Sequence, residues 1–375
     1  VKIVNVCGAR PNFMKVAPLM RAFAGRRGLD ALLVHTGQHY DDSMSKVFFD
    51  DLRLPRPDVN LEVGSASHAV QVALIMQRFE PVVERERPDA VLVVGDVNST
   101  IACGLVAAKL LVPVIHVEAG LRSFDRTMPE EINRVLTDAI SDLLFVTEPA
   151  GVANLRHEGL APEKVHLVGN VMIDTLLACR ELAARSDVLL RLGLTARHYG
   201  VLTLHRPAAV DHPVALGQIC NALEEIQRTT PLVFPVHPRT RGNLEQTGLL
   251  PRLQGWPGLR LVDPLGYLDF LKLMSEAALV LTDSGGIQEE TTVLGVPCLT
   301  LRENTERPIT VEHGTNQLVG LDPVRILDGY RHIGDRHGAP RVPALWDGRA
   351  AERIADILCR WDRRRGTGRN EAAPC

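Results

Sequence analysis

Short apolar runs, hydrophobic on both faces and separated by stretches of helical periodicity, constrain this chain more than any other feature. Runs such as "VLVV" and "VPVIHV" lack polar alternation, so strands built from them need helices on both sides. Strand, helix and strand in repetition give parallel sheets with crossover helices. In the first half the runs fall at 2–7, 31–36, 89–94, 112–117 and 143–147, with helical segments such as "HAVQVALIMQRFEPVVERE" and "NSTIACGLVAAKLL" between them. The rhythm pauses over 167–194, which reads as a short strand, a helix and a polar stretch. It resumes at 199–207, 231–239, 259–265, 278–284 and 296–301.

A chain of 375 residues is long for one hydrophobic core, so two domains are expected. The expected architecture is α/β, with two doubly wound Rossmann-like domains facing across a cleft. These span 1–170 and 196–348, with a hinge region over 171–195. A helix over 349–365 is free to pack back on the N-terminal domain, and the tail 366–375 lacks periodicity and is expected to be disordered.

The net charge of −3 argues against a nucleic-acid partner. No apolar run approaches the length of a membrane span, and the start "VKIVNVCGARP" reads as a strand without a signal-peptide layout. Seven scattered cysteines, with no CxxC and no Cys/His cluster, fit the reduced thiols of a cytoplasmic protein and give no support for a metal site.

In open α/β sheets ligands bind beyond the carboxyl ends of the strands. Polar residues recur at those ends: Asp96 after "VLVVG", Glu118 after "VIHV", His205 after "VLTL", His237 after "VFPV" and Asp283 after "LVLT". Gly8-Ala9-Arg10-Pro11 follows the first strand, with Lys15 one helical turn on. Each has a structural reading. Asp96 suits a helix cap, Asp283 a cap or turn brace, the histidines hydrogen-bonded structural roles, and Arg10 with Lys15 a solvated basic turn. Their coincidence at so many strand ends implies a charged cleft instead.

Two stretches sharpen this. In "TDSGGIQEETTVLGVPCLTLRENTERP" a strand ends at Asp283-Ser284-Gly285-Gly286 and a helix is expected from Ile287, whose start suits an anion. Glu289 and Glu290 follow at once, which such a site would not require. In "HVEAGLRSFDRTMPEEINRVLTDAISD", Pro129 opens a helix at its favoured first position. Glu130 and Arg134 share a face as a possible i,i+4 ion pair, while Glu131 reads as dipole compensation.

The series "GARPNFMKVAPLM", "TGQHY", "GDVNST", "HVEAGLRS", "MPEEINR", "LHRP", "PVHP", "DSGGIQEE" and "TERP…HGTN" resembles, in order from residue 2 to about residue 320, the non-hydrolysing UDP-N-acetylglucosamine 2-epimerases. The resemblance implies a GT-B fold and reversible conversion of UDP-GlcNAc to UDP-ManNAc. The implied route eliminates UDP to give 2-acetamidoglucal and adds it back, with no cofactor and no metal. By similarity Asp96, Glu118, Glu130 and His205 match catalytic positions. Arg10, Lys15, Arg134, His237 and Arg307 match positions that bind UDP, as do Ser284, Gly285 and Gly286 around the phosphates. Glu290 matches the carboxylate on the ribose hydroxyls and Phe270 the residue beside uracil, although the spacing of Phe270 with Tyr267 and Met274 also permits plain core. Glu289, about 100° round the helix from its neighbour, is expected to face elsewhere as structural or surface charge.

The resemblance also implies a homodimer. Asn12 stands where many members carry Glu, and Pro207 where many carry Arg. Gln38, Arg206 and His237 match residues that bind a second UDP-GlcNAc as activator. "SFDRTMPEEINR" also resembles members acting on UDP-diacetamido-uronates, and a GT-B glycosyltransferase would share the nucleotide half.

Overall fold

A computed structural model of the chain describes residues 1–8, 10–37, 51–52, 54–333 and 341–361. Side chains of Arg10 and Pro11, Gln38 with the rest of "QHYDD", and the tail 366–375 lie outside the described set. The chain divides into two compact units. One is Val1–Thr175 together with the segment from Ala344 onward, the other Leu176–Pro343, so the division falls inside the helix Val171–Ala184.

The first unit holds a seven-stranded sheet: β1 (Lys2–Cys7), β2 (Asp30–His35), β3 (Val59–Asn60), β4 (Ala90–Val94), β5 (Val114–Ala119), β6 (Leu143–Val146) and β7 (Val165–Leu167). The strand order is β3-β2-β1-β4-β5-β6-β7, and every pairing is parallel. The second unit holds β8 (Gly200–Thr203), β9 (Leu232–Pro235), β10 (Leu259–Val262), β11 (Leu279–Thr282), β12 (Cys298–Thr300) and β13 (Asn316–Leu318). Their order, β10-β9-β8-β11-β12-β13, repeats the first, again all parallel. Each sheet therefore reverses direction once, between β1 and β4 and between β8 and β11, and such a switch point opens a crevice at the carboxyl ends. The apolar runs explain the layering: β4, β5, β6 and β11 are buried along their whole length, as strands with helices on both faces must be.

The α/β, doubly wound reading holds, and its element bounds need three corrections. The run at 112–117 is shifted: the strand is Val114–Ala119, and its ladder to β6 slips between Val117 and Ala119. Glu118 is the residue at that bulge, with φ of 75°, so it lies within the strand rather than after it. The helix after Gly285-Gly286 starts at Gly285, not Ile287, with Ser284 at its N-cap. Strands of the second unit stop earlier than their apolar runs. β8 ends at Thr203 because the backbone amides of His205 and Arg206 bond the Asp283 carboxylate, and Pro207 then opens a helix.

The segment from Ala344 onward completes the first unit. Trp346, buried, donates its indole N–H to the Thr147 carbonyl at 3.0 Å. Asp174 accepts from the amides of Ala350 and Ala351 at 3.1 and 2.7 Å, capping the helix Ala350–Arg360 from a distance in sequence. That helix buries Ile354, Ala355 and Leu358 and packs on the helix Arg10–Ala24.

Candidate active site

In the first unit the polar residues gather at the switch point. After β1 the chain turns directly into the helix Arg10–Ala24. Asn12 binds that turn to β4: its Oδ1 accepts from Gly8 N–H at 3.4 Å and its Nδ2 donates to the Val94 carbonyl at 3.0 Å. One turn on, Lys15 is buried and its ammonium is ion-paired with Glu118. Gly95 makes room for it. A Cβ there would lie 2.7 Å from Lys15 Nζ, and the φ of +65° disfavours any side chain. Glu118 is equally buried, and its left-handed backbone is a sparsely populated conformation for a non-glycine residue.

The N-cap of the helix Asn98–Lys109 is Val97 rather than Asp96. The Asp96 carboxylate is half-buried and 3.7 Å from Arg134 Nη2, and its carbonyl accepts from Asn133 Nδ2 at 2.8 Å. Arg134, on the helix Pro129–Ile140, is only 2% exposed, yet none of its guanidinium nitrogens takes a hydrogen bond among the described residues. It pairs loosely with Asp96 and, at 3.4 Å, with Glu131, an i,i+3 contact in place of the i,i+4 pair that the spacing of Glu130 allowed as its structural reading. Glu130, half-buried in the first helical turn, makes no hydrogen bond or ion pair among the described residues. Glu131 has a larger task than dipole compensation. Its two oxygens accept from Ser123 N–H, Ser123 Oγ and Phe124 N–H, each at 3.0 Å, and so fasten the loop that precedes Glu130.

The second unit carries a different chemistry. Asp283, fully buried, accepts at 2.8 Å from both His205 and Arg206 amides, and its other oxygen lies 3.2 Å from His205 Nδ1. This fixes a His205 ring that is still 41% exposed. The His237 ring lies 6.0 Å from it, and its Nδ1 accepts from Arg239 N–H, capping the helix Pro238–Gln246. Ser284 caps the helix Gly285–Leu294 by backbone alone: its hydroxyl makes no cap bond, and no acid occupies the first turn. Free amides and that hydroxyl make an anion-binding helix start. A Cβ at Gly285 would come within 2.5 Å of Arg307 Nη1 and 2.7 Å of Glu306 Oε1, so glycine lets these charges approach the helix start. Gly286, the next residue, is half-buried.

Arg307 is itself buried and ion-paired with Glu306 and, at 2.7 Å, with Glu289. Glu289 is therefore no surface charge; it is fully buried and balances the arginine. Glu306 also binds Arg302 at 2.7 Å and lies 3.6 Å from Arg206. Glu290 accepts from the Tyr267 hydroxyl at 2.9 Å. Burial, with Glu289 adjacent, pushes its carboxyl from an ordinary 4.5 up to about 7 despite that bond. Phe270 is only half-buried on a helix whose Tyr267, Leu271, Leu273 and Met274 face the interior.

Sequence reasoning missed Glu306 and read Tyr267 only as core spacing, and of its two readings of Glu289 the structural one holds. Glu306 stands beside Arg307 in "TERP", which is the one signal that pointed toward it. No cluster of three or more His, Cys, Asp or Glu able to hold a metal occurs among the described residues.

The sequence model of UDP-N-acetylglucosamine 2-epimerase matches residues 21–359. A protein of Methanococcus maripaludis named a UDP-N-acetylglucosamine 2-epimerase homolog is 45% identical over 330 residues, covering 88% of this chain and 91% of its own. The UDP-2,3-diacetamido-2,3-dideoxy-D-glucuronate 2-epimerase of Pseudomonas aeruginosa is 40% identical, covering 96% of this chain and all of its own. Among solved structures, the UDP-GlcNAc 2-epimerase of Methanocaldococcus jannaschii in complex with UDP-GlcNAc and UDP superposes with a TM-score of 0.90 at 40% identity. It covers 96% of this chain and 100% of that one.

Proposed function

The chain belongs to the UDP-N-acetylglucosamine 2-epimerase family, and on that premise we propose how its residues invert C2 of a UDP-N-acetylhexosamine. The observation that carries the reading is the contrast between the two switch points. One offers three carboxylates, Asp96, Glu118 and Glu130, and the other a helix start with free amides and an uncapped Ser284 hydroxyl.

The C2 hydrogen of the sugar has no adjacent carbonyl, so its direct removal is slow. Elimination solves this: the C1–O bond breaks, UDP leaves with the electron pair, and a carboxylate takes the C2 proton to give 2-acetamidoglucal. A proton returned to the opposite face of C2, with UDP re-added at C1, gives the epimer. Glu130, half-buried and without an ion pair or hydrogen bond among the described residues, suits proton transfer. Glu118 is aimed by its bulge and held by Lys15, so it suits a fixed acid/base or charge-stabilising role. Arg134, buried and making no hydrogen bond among the described residues, has donors to offer the substrate. Ser284, Gly285 and Gly286 with Arg307 take the diphosphate, Glu290 the ribose diol and Phe270 the uracil. His205, oriented by Asp283, stands near the leaving phosphate as general acid.

The test is NMR of UDP-GlcNAc with enzyme in D₂O and no acceptor. The expected result is product carrying deuterium at C2, with some glucal and UDP released. Full retention of the original hydrogen would exclude elimination, and no turnover without an acceptor would favour a glycosyltransferase. The 40% identity to the P. aeruginosa enzyme supports a second reading, a UDP-diacetamido-uronate as substrate. Running both sugar nucleotides side by side decides it by kcat/KM. A cytoplasmic setting is supported by the described cysteines, all free thiols, and is tested by fractionation of the source cell. A homodimer is what the resemblance implies, and light scattering of the purified chain tests it.

A further inference from the structure

A buried network of charge lies among the acids of the first unit, and the reaction above makes no use of it. His116, two residues before Glu118 on β5, is fully buried. Its Nδ1 is 2.7 Å from Asp138 Oδ1, and its Nε2 is 2.8 Å from the Gly95 carbonyl. A carbonyl only accepts, and so does an ionised carboxylate; a neutral imidazole carries one N–H and one lone pair. One of these two short contacts would then set lone pair against lone pair.

Moving the proton onto Asp138 is disfavoured, because its other oxygen already accepts from Gly120 N–H at 3.0 Å and from Arg122 Nη2 at 2.7 Å. Burial alone would raise the Asp138 carboxyl, but the charges and hydrogen bonds of His116 and Arg122 outweigh it and hold it below the ordinary range. Arg122 is in turn clasped by both oxygens of Glu158, at 2.8 and 2.7 Å. With Glu158, whose side chain is 31% exposed and reaches solvent, the network sets two cations against two carboxylates.

We propose that His116 donates from both ring nitrogens and is a positioning residue for proton transfer at C2, because it ties together the backbone that carries Asp96 and the backbone that carries Glu118. The Gly95 carbonyl immediately precedes Asp96. Asp138, bonded to the same ring, takes the amide of Gly120 just beyond the bulge at Glu118. One ring thus fixes both acids in place, and the clamp supports the left-handed backbone at Glu118. This inference rests on the reading of Asp96 and Glu118 as acting acids, and its first test is independent of that reading.

In the full chain labelled with ¹⁵N-histidine, long-range ¹H–¹⁵N spectra report the protonation of each ring. The His116 signals, assigned by their loss in His116→Asn, are expected to show an N–H on both ring nitrogens under the conditions of the turnover assay. An N–H on only one ring nitrogen overturns the two-donor assignment whether or not the protein epimerises anything. The second test separates the two tethers. In His116→Gln the amide takes the place of Nε2 and keeps Gly95, whereas in His116→Asn it takes the place of Nδ1 and keeps Asp138. Each is expected to lower kcat tenfold or more, with the Kd for UDP within twofold of the parent. A kcat within twofold of the parent in both variants overturns the positioning role. Loss of UDP binding alongside kcat overturns it as well, since the residue would then serve only the fold.

Discussion

Glu118 joins two properties that rarely coincide: a carboxylate sealed from water and a backbone at positive φ. The bulge turns its side chain toward Lys15, and Gly95 leaves the space in which the two charges meet. Replacing Glu118 or Glu130 by Gln removes a charge and a proton acceptor while preserving shape. Turnover is expected to fall about 10²-fold or more in each, as loss of a positioned proton-transfer group usually does. UDP binding by calorimetry should persist, and near-normal turnover in both would remove these residues from the mechanism. At this scale the acids were legible because polar residues interrupt apolar runs where a sheet offers its binding edge. Their partners were not. That Lys15 neutralises Glu118, that Glu131 fastens the 123–124 loop, and that Arg307 buries Glu289 are contacts between elements, which no local pattern encodes.

The helix Gly285–Leu294 shows how an element accommodates two acids beside an anion site. Its first turn is free of carboxylates, Glu289 is balanced by Arg307, and Glu290 is buried under Tyr267. Because burial raises Glu290 from 4.5 to about 7, the folded state favours the protonated acid more than the unfolded chain does. Its contribution to stability is full below about 4.5 and is lost as pH rises through about 7. The shift is worth roughly 3 kcal/mol at most, and each kcal/mol moves Tm by about 2–4 °C in a domain of this size. The unliganded protein should therefore melt lower at pH 8 than at pH 5, and Glu290→Gln should flatten that slope. An unchanged slope would mean that other groups dominate. Element type was readable from periodicity, whereas element ends were not. Apolar runs continue past the last ladder bond into the site loops, and strands as short as Val59–Asn60 and Asn316–Leu318 leave no run to read.

Across the whole molecule the same strand order occurs twice, and that duplication was visible as two series of apolar runs around a pause. Less visible was how the chain finishes the first unit. Trp346, Ile354 and Leu358 are buried there, each worth about 2–3 kcal/mol of burial. Their sum is a large part of a typical total of about 5–15 kcal/mol. A chain ending at residue 343 is expected to lose cooperative melting of the first unit while the Leu176–Pro343 unit keeps its own transition in calorimetry. Two intact transitions would show that the last helix contributes little.

Translation gives this wiring a consequence in time. The first unit leaves the ribosome before the Leu176–Pro343 unit but cannot close its core until the helix Ala350–Arg360 emerges. The first unit's sheet is complete by Leu167, so a nascent chain must shelter the uncovered face of the helix Arg10–Ala24 while the Leu176–Pro343 unit folds on its own schedule.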